Sequence, residues 1–367
     1  MEGKDHFINS ETIFSKPFIV YKINNQKAYV YSLKIVEFLL RNKQIQEIYV
    51  EDKEINVESI NKYRDSLDLA ESKTISEPDE ELELSKYKIK LFELGQTFPD
   101  ICIVLGGDGT TLWCNNIFKN YERPPFLTFN LGTLGYMAIY SFSKYEEVLN
   151  ELFNPKKSIS IEKRSMLKCR VNTIKHDTVN YKHSLSECSI TTEVKFLNEE
   201  VDSSEEVIAL NDIVIEKSKN SNMVHLKLYV NDEPLTIVKS DGIILSTSTG
   251  STAYSLSAGG SVIHSDVDAF ILNAICPHSL SFRSIIFPRN FKIQIRPCTN
   301  SCDKVEVVSD GRRLNDKIGK NQFIEVSLSD KLVQFIVLDD LVPNRTNLWK
   351  RKIVDQLGWN SEFQNYD

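Results

Sequence analysis

Residues 103–113 read IVLGGDGTTLW, and the reading of this stretch decides the fold of the N-terminal part of the chain. Apolar residues lead straight into Gly106, Gly107, Asp108 and Gly109, and apolar residues resume after two threonines. ICIVL (101–105) has the unbroken apolar character of a strand buried on both faces, and TTLWCNNIFKN (110–120) reads as a helix. In an open α/β sheet, ligands gather where the C-terminal end of a parallel strand hands over to a helix. Amides at the start of that helix can receive a phosphate. The glycines leave no side chain between amide and ligand, and they permit backbone conformations closed to other residues. Asp108 then lies within reach of whatever the amides hold. On GGDG alone, a glycine-rich turn with a capping Asp is an equally good reading. The loop carries no Gly-Lys-Ser/Thr and does not fit GxGxxG, so neither the P-loop nor the dinucleotide fingerprint applies.

The neighbouring sequence extends this unit in both directions. Upstream, FIVY (18–21) reads as a buried strand, Val30, Leu33, Val36, Leu39 and Leu40 fall near helical spacing, and IYV (48–50) reads as the next strand. Strand, helix and strand in so short a span make a βαβ unit, which by chirality implies neighbouring parallel strands. LFELGQTFPD (91–100) is expected to hold a helix end at Gly95. Downstream, PPFLTFNLG (124–132) reads as a strand that empties into a second glycine-rich turn, NLGTLGYM (130–137). KYEEVLNELF (144–153) closes the region as a helix. Residues 1–155 are therefore expected to form an α/β domain with a parallel sheet.

After Pro155 the character changes. SMLKCRVNT, EVIALNDIVIEK, VHLKLYVNDEPL, SDGIILSTS, FKIQIRP, VEVVSDGRRL and LVQFIVLDD read as strands, joined by turn dipeptides such as Asn231-Asp232 and Asp310-Gly311. Residues 156–340 are expected to form a β-rich domain. The tail, 341–367, contains LWKRKIVDQLGW, which reads as a helix packing back on the body. Polar stretches within 53–90 and 172–206 read as surface excursions. STSTGSTAYSLSAGG (246–260) follows the strand GIIL; its composition alone would suit a flexible linker, but Tyr254, Leu256 and Ala258 could open a helix, and its hydroxyls suit a ligand rich in acceptors.

Composition bounds the function class. Of 367 residues, 41% are hydrophobic and 26% charged, which is the make-up of a globular protein large enough for two domains. Net charge is −7 and the lysines are dispersed among carboxylates, so no basic stripe points to nucleic acid. No run approaches the roughly 18 apolar residues of a membrane span. The N-terminal residues resemble neither a secretory signal nor a transit peptide, so the expected compartment is the cytoplasm, and seven irregularly spaced cysteines fit reduced thiols. Cys298 and Cys302 have no second ligand pair nearby, and no protein metal site is expected.

GGDGTTL, NLGTLGYM, LNDIVIEK, SDGIILSTSTGSTAYSLSAGG and CPHSLSFR, in that order, resemble the NAD kinases. GGDGT by itself is shared with lipid kinases; TGSTAYSLSAGG together with NLGTLG is specific. The resemblance covers roughly residues 17–340. It implies an N-terminal α/β domain, a β-rich C-terminal domain and an active site between them. The implied reaction is ATP-dependent transfer of a phosphoryl group to the 2′-hydroxyl of the adenosine ribose of NAD, giving NADP. Carried over by motif, Asp108 is the catalytic base with Gly109 beside it. Asn211 and Asp212 contact the NAD ribose and adenine region, and Asp241, Thr249, Thr252, Ala253, Tyr254 and Ser257 line the rest of the pocket. Mg²⁺ accompanies ATP, no prosthetic group is implied, and the family's members are usually dimers or tetramers.

The chemistry is consistent with those residue types. In a loose phosphoryl-transfer transition state the hydroxyl proton leaves late, so a positioned carboxylate suffices as acceptor and no histidine is needed. An Asp at its reference value near 3.9 is already ionised at pH 7. Asp212 and Asp241 also have plain readings as strand-end or turn residues. Arg283 is a possible phosphate partner, while Trp113 and Tyr136 are expected in the core. Ser248, Ser284 and Ser309 depart from the family pattern, and Ser248, where Pro is usual, is expected to loosen its turn. A catalytically silent NAD-binding sensor on the same fold is the alternative. The choice between NAD and NADH, and between ATP and polyphosphate, stays open at this point.

Overall fold

The computed structural model describes residues 7–8, 14–70, 88–132, 135–154, 159–174, 201–204, 206–218, 222–298, 305–314, 317–319, 321–342, 346, 349–350 and 352–359. The excursion stretches 71–87 and 175–200 lie outside the described residues, as does Cys302. The chain divides into two compact units, residues 1–163 with 333–367, and residues 164–332.

The first unit is built on a parallel sheet. Strand Ile101–Leu105 pairs on one side with Pro17–Tyr21, which pairs with Ile48–Val50 and through it with Ile89–Leu91. On the other side it pairs with Phe126–Asn130, against which Phe335 of the late strand segment 333–338 is set. All of these pairings are parallel. Ile101–Leu105 and Phe126–Asn130 are buried at every position, the pattern of central strands covered on both faces. Helix Gln26–Arg41 begins where the Asn25 side chain accepts the Ala28 amide, and it buries Leu33, Val36, Leu39 and Leu40 along one stripe. Helix Val57–Ala70 stands in the region read as an excursion.

LFELGQTFPD departs from expectation. Residues Ile89–Leu91 are the last parallel strand, and Gly95 sits at φ +80° in the turn after it rather than at a helix end. Leu91, Phe92 and Leu94 are spaced closely enough to mimic a helical stripe, but the run is too short to nucleate one. In the tail, residues Lys352–Gln356 form a single π-helical turn. Lys352 is 3% exposed, and its ammonium lies 5.3 Å from the centre of the Tyr136 ring within the same unit.

The second unit is antiparallel. One sheet has the order Ile285–Pro288, Ala269–Ile275, Gly242–Thr247, Asp212–Lys217, Val305–Ser309, Arg312–Arg313. A second set pairs Glu233–Ser240, Val224–Val230, Lys292–Pro297 and the 324–327 part of strand Gln322–Leu338. Ile213, Leu226, Leu245, Phe270, Ile295 and Ile324 meet in one core. Strand Ala269–Ile275 lies inside its sheet and is buried from Ala269 to Ala274. Among the described residues, no helix is long and apolar enough to cross a membrane.

Candidate functional site

Asp108 and Gly109 belong to the first unit and the remaining site residues named from the sequence belong to the second. Each group is described within its own unit.

Strand Ile101–Leu105 ends at Gly106, whose amide still donates to Phe129 O at 2.9 Å. Gly107 then caps helix Asp108–Ile117, its carbonyl accepting from Thr110 N at 3.0 Å and Thr111 N at 3.2 Å. None of the three loop glycines adopts a positive φ, so conformational freedom is not why they are there. Steric access is. A Cβ on Gly106 would stand 2.1 Å from Thr110 Oγ1, whereas one on Gly107 or Gly109 would meet nothing within 4 Å. The first leaves room for the helix to fold back close to the strand. The other two leave the amides of the first helical turn uncovered, where an anion is favoured.

The Asp108 side chain does not cap its own helix. One carboxylate oxygen accepts the Tyr136 amide at 2.9 Å and the other the Met137 amide at 2.8 Å. The two glycine-rich turns at the ends of neighbouring strands are thereby tied together by the acid itself. Gly135 makes this approach possible, since a Cβ there would lie 2.6 Å from Asp108 Oδ1. Tyr136 is buried as expected; Trp113 is only half-buried, its indole N–H donating to both oxygens of Glu51 at 3.0 and 3.1 Å.

In the second unit, the LND segment and the hydroxyl-rich stretch pack directly on each other. The Asn211 carbonyl accepts Thr247 N at 2.9 Å and Ser246 Oγ at 3.1 Å, while Thr247 Oγ1 donates to Leu210 O at 2.7 Å. Gly250 passes so close to Asn211 that a Cβ would lie 2.1 Å from its carbonyl oxygen. The stretch is no linker: Gly250–Thr252 form a 3₁₀ turn and Tyr254–Ser257 a short helix. Thr249 is buried, whereas Tyr254 and Ser257 are exposed and Thr252 and Ala253 are partly so. Ser248 contradicts the expected looseness. Its buried hydroxyl reaches the Val267 and Ala269 carbonyls, the latter at 3.1 Å, pinning the turn by a bond that Pro could not make.

The carboxylates of this unit differ in environment. Asp241 pairs with Lys217 Nζ at 2.7 Å, and Gly242 beside it is required by the Ile215 carbonyl, 2.6 Å from where a Cβ would sit. Asp212 is 6% exposed; burial, and then the charge of Asp310, push its carboxyl up to about 7. The Tyr254 phenol is raised by burial first, then by carboxylates that include Glu216, Asp212 and Asp241, so these groups share one neighbourhood. Arg283 is exposed and donates to the Leu280 and Phe282 carbonyls at 3.1 and 2.7 Å.

Two residues of this region were not legible as site residues. Arg164, 2% exposed, donates to Thr249 Oγ1 at 3.2 Å, and its only sequence signal is a cation followed by a strand's apolar residues. Asp310 reads as half of a turn dipeptide, yet its carboxylate accepts the amides of Leu210, Asn211 and Asp212.

Residues 18–157 match the ATP-NAD kinase N-terminal domain, and residues 210–338 match the ATP-NAD kinase C-terminal domain. The chain belongs to the ATP-NAD kinase family. The first match contains both glycine-rich turns, and the second contains LND, SDG and the hydroxyl-rich stretch. Among relatives, the mitochondrial NADH kinase pos5 of Schizosaccharomyces pombe is 32% identical over 72% of this chain and 60% of its own length. The NAD(+) kinase of Saccharomyces cerevisiae is 31% identical over 85% of this chain and 54% of its own. The chain spans about half the length of the curated relatives it matches. A crystal structure of a yeast NADH kinase complexed with NADH has a TM-score of 0.75 at 23% identity, covering 99% of this chain and 94% of that one. That likeness supports the ATP-NAD kinase fold described above: an α/β unit with a parallel sheet and a β-rich unit.

Proposed function

We propose that the chain is an NAD kinase, transferring the γ-phosphoryl group of ATP to the 2′-hydroxyl of the adenosine ribose of NAD to give NADP and ADP. The observation that carries this reading is the Asp108 carboxylate, held at the start of a helix by the Tyr136 and Met137 amides. Two fixed donors orient the acid, yet each oxygen retains a lone pair that can take a proton. As the bond from γ-phosphorus to the leaving oxygen of ADP loosens, the ribose oxygen closes on phosphorus and its proton passes to Asp108. The uncovered amides of Asp108 and Gly109 face the accumulating phosphate charge. Mg²⁺ enters with ATP as part of the substrate, its oxygen ligands drawn largely from the phosphates and water.

Asn211, Asp212, Asp241, Thr249, Thr252, Ala253, Tyr254 and Ser257 would bind NAD. Support comes from the bonds that pack LND onto STSTG and from the carboxylates that gather near Tyr254. A homo-oligomer is part of the proposal. Strand Ile285–Pro288 ends its sheet with Ile285 and Ile286 exposed, and Leu280 nearby is 94% exposed, an apolar edge suited to a second copy.

The test is an incubation of purified protein with ATP, Mg²⁺ and either NAD or NADH, followed by phosphorus NMR. A new 2′-monoester resonance together with ADP is the expected result. Asp108→Asn should keep NAD binding and lose most turnover, roughly a hundredfold or more. Near-normal turnover in that variant removes the role assigned to Asp108, and NAD binding without product would favour the silent sensor.

A further inference from the structure

The segment Leu210–Asp212 lies between two short pieces of strand with different partners. Val207–Ala209 pairs with residues 167–169, and Asp212–Lys217 pairs with Gly242–Ser246 and Val305–Ser309. Where a chain leaves one ladder for another, its amides lose their strand partners and need others. Here a single side chain from the distant hairpin turn supplies them. Asp310 Oδ2 accepts Leu210 N at 2.8 Å, and Oδ1 accepts Asn211 N at 2.8 Å and Asp212 N at 3.2 Å. The Asp310 amide in turn donates to Asp212 O at 3.0 Å. The same peptides are gripped from the other side by Ser246 and Thr247.

We propose that Asp310 is a positioning residue for the nucleotide: its carboxylate fixes the backbone from which the Asn211 and Asp212 side chains reach NAD. The proposal rests on the NAD kinase reading. A purely structural role would be met by any acceptor that satisfied the three amides. A positioning role also sets the electrostatic state of Asp212, because the two carboxyl groups are close enough to repel.

The surroundings of Asp212 are specific. Asp310 bears on it from the hairpin turn, and Arg312 bears on Asp310. The Tyr254 phenol feels Asp212 from the short helix. Ser246, neutral, stands opposite it on strand Gly242–Thr247; Glu216 and Lys217 lie at the far end of its own strand, with Glu306 opposite Glu216. Ribose hydroxyls donate to an ionised carboxylate better than to a protonated one. NAD should therefore bind better as pH rises through the titration of Asp212.

The experiment is the pH dependence of kcat and kcat/KM for NAD, from pH 5.5 to 9, on the full chain and on D310N, R312Q and D212N. The wild type should show an acid limb near neutrality in kcat/KM that is absent from kcat. D310N should move that limb down by about one pH unit and raise KM for NAD about tenfold. R312Q, at an exposed site and usable should D310N not fold, removes a cation that favours ionised Asp310, so it should move the limb in the same direction as D310N by a smaller amount. D212N should abolish it. The proposal is overturned if D310N lowers the melting temperature while KM and the limb stay in place, or if R312Q leaves the limb unmoved. If the wild type makes no NADP, the same series is read in the Kd for NAD. Binding with the predicted pH shifts sustains Asp310's role without catalysis, and absence of binding ends both readings.

Discussion

Two of the chain's three Asp-Gly dipeptides, Asp108-Gly109 in the first unit and Asp310-Gly311 in the second, use the same pair of residues to opposite structural ends. At Asp108-Gly109 the backbone is the first turn of a helix, and the carboxylate reaches sideways to two amides of the neighbouring glycine-rich turn. At Asp310-Gly311 the backbone is a hairpin turn with φ of +46° and +77°, and the carboxylate reaches three amides of the LND segment. The left-handed pair is what a two-residue turn of this type needs. In both cases an acid ties its loop to a second loop. The difference lies in what surrounds each pair: Asp108 adjoins uncovered helix amides, whereas Asp310 adjoins a second buried carboxyl. The first arrangement suits a group that meets substrate, the second a group that holds others in place.

That contrast can be broken in several places. The largest expected effect is on stability at Asp212. Its folded value of about 7 lies above the ordinary 3.9 of an unfolded Asp, so the native state binds the proton more tightly. Its contribution is fully present below the unfolded value and is lost as pH rises through 7, a loss on the order of 4 kcal/mol. Asp212→Asn should therefore melt several degrees above the wild type at pH 8, with the gap closing toward pH 4. A gap of equal size at both pH values would show that Asp212 is not the group responsible.

Next comes Gly135→Ala. The added Cβ, 2.6 Å from Asp108 Oδ1, must displace the carboxylate or its turn. We expect kcat to fall by about a hundredfold from misplacement of this kind, with the melting temperature little changed. Unchanged turnover would mean that the Tyr136 and Met137 bonds do not set the acid's working position. The smallest effect belongs to Gly311→Ala. Its Cβ would meet nothing within 4 Å, so only the backbone at φ +77° resists, at about 1 kcal/mol. A larger loss, read by chemical denaturation, would point to a disturbed Asp310 grip.

Much of the fold was legible where the local signal and the tertiary role coincide. ICIVL, FLTFN and GIIL are buried on both faces and announce themselves as apolar runs. The order of the motifs sufficed for the family resemblance. Elsewhere the signal was local and the cause was not. Strand Gln322–Leu338 was visible only in its LVQFIVL half, because exposed Asp330 and Lys331 interrupt the apolar pattern as a turn would. Of the two properties the sequence suggests for the loop glycines, steric access and conformational freedom, the structure uses access, since none of the three adopts a positive φ. Asp310 was invisible as a site residue because its partners lie about a hundred positions upstream. No periodicity reports a side chain that bonds to another segment's backbone.

The first unit takes its last sheet segment from residues 333–338, beyond the whole of the second unit. Phe335 packs edge-on against Phe126 with ring centres 5.8 Å apart, and the Leu338 amide donates to Tyr140 Oη at 2.7 Å. On the ribosome, strand Phe126–Asn130 emerges long before this neighbour does. At about 5–20 residues per second, its flank waits on the order of ten seconds or more while the β-rich unit is translated. During that interval a nascent chain offers an open strand margin beside a central hydrophobic strand, the kind of surface that invites a foreign strand. Translation speed through residues 164–332, and the holdase capacity available meanwhile, should thus govern how much of this protein reaches its native state.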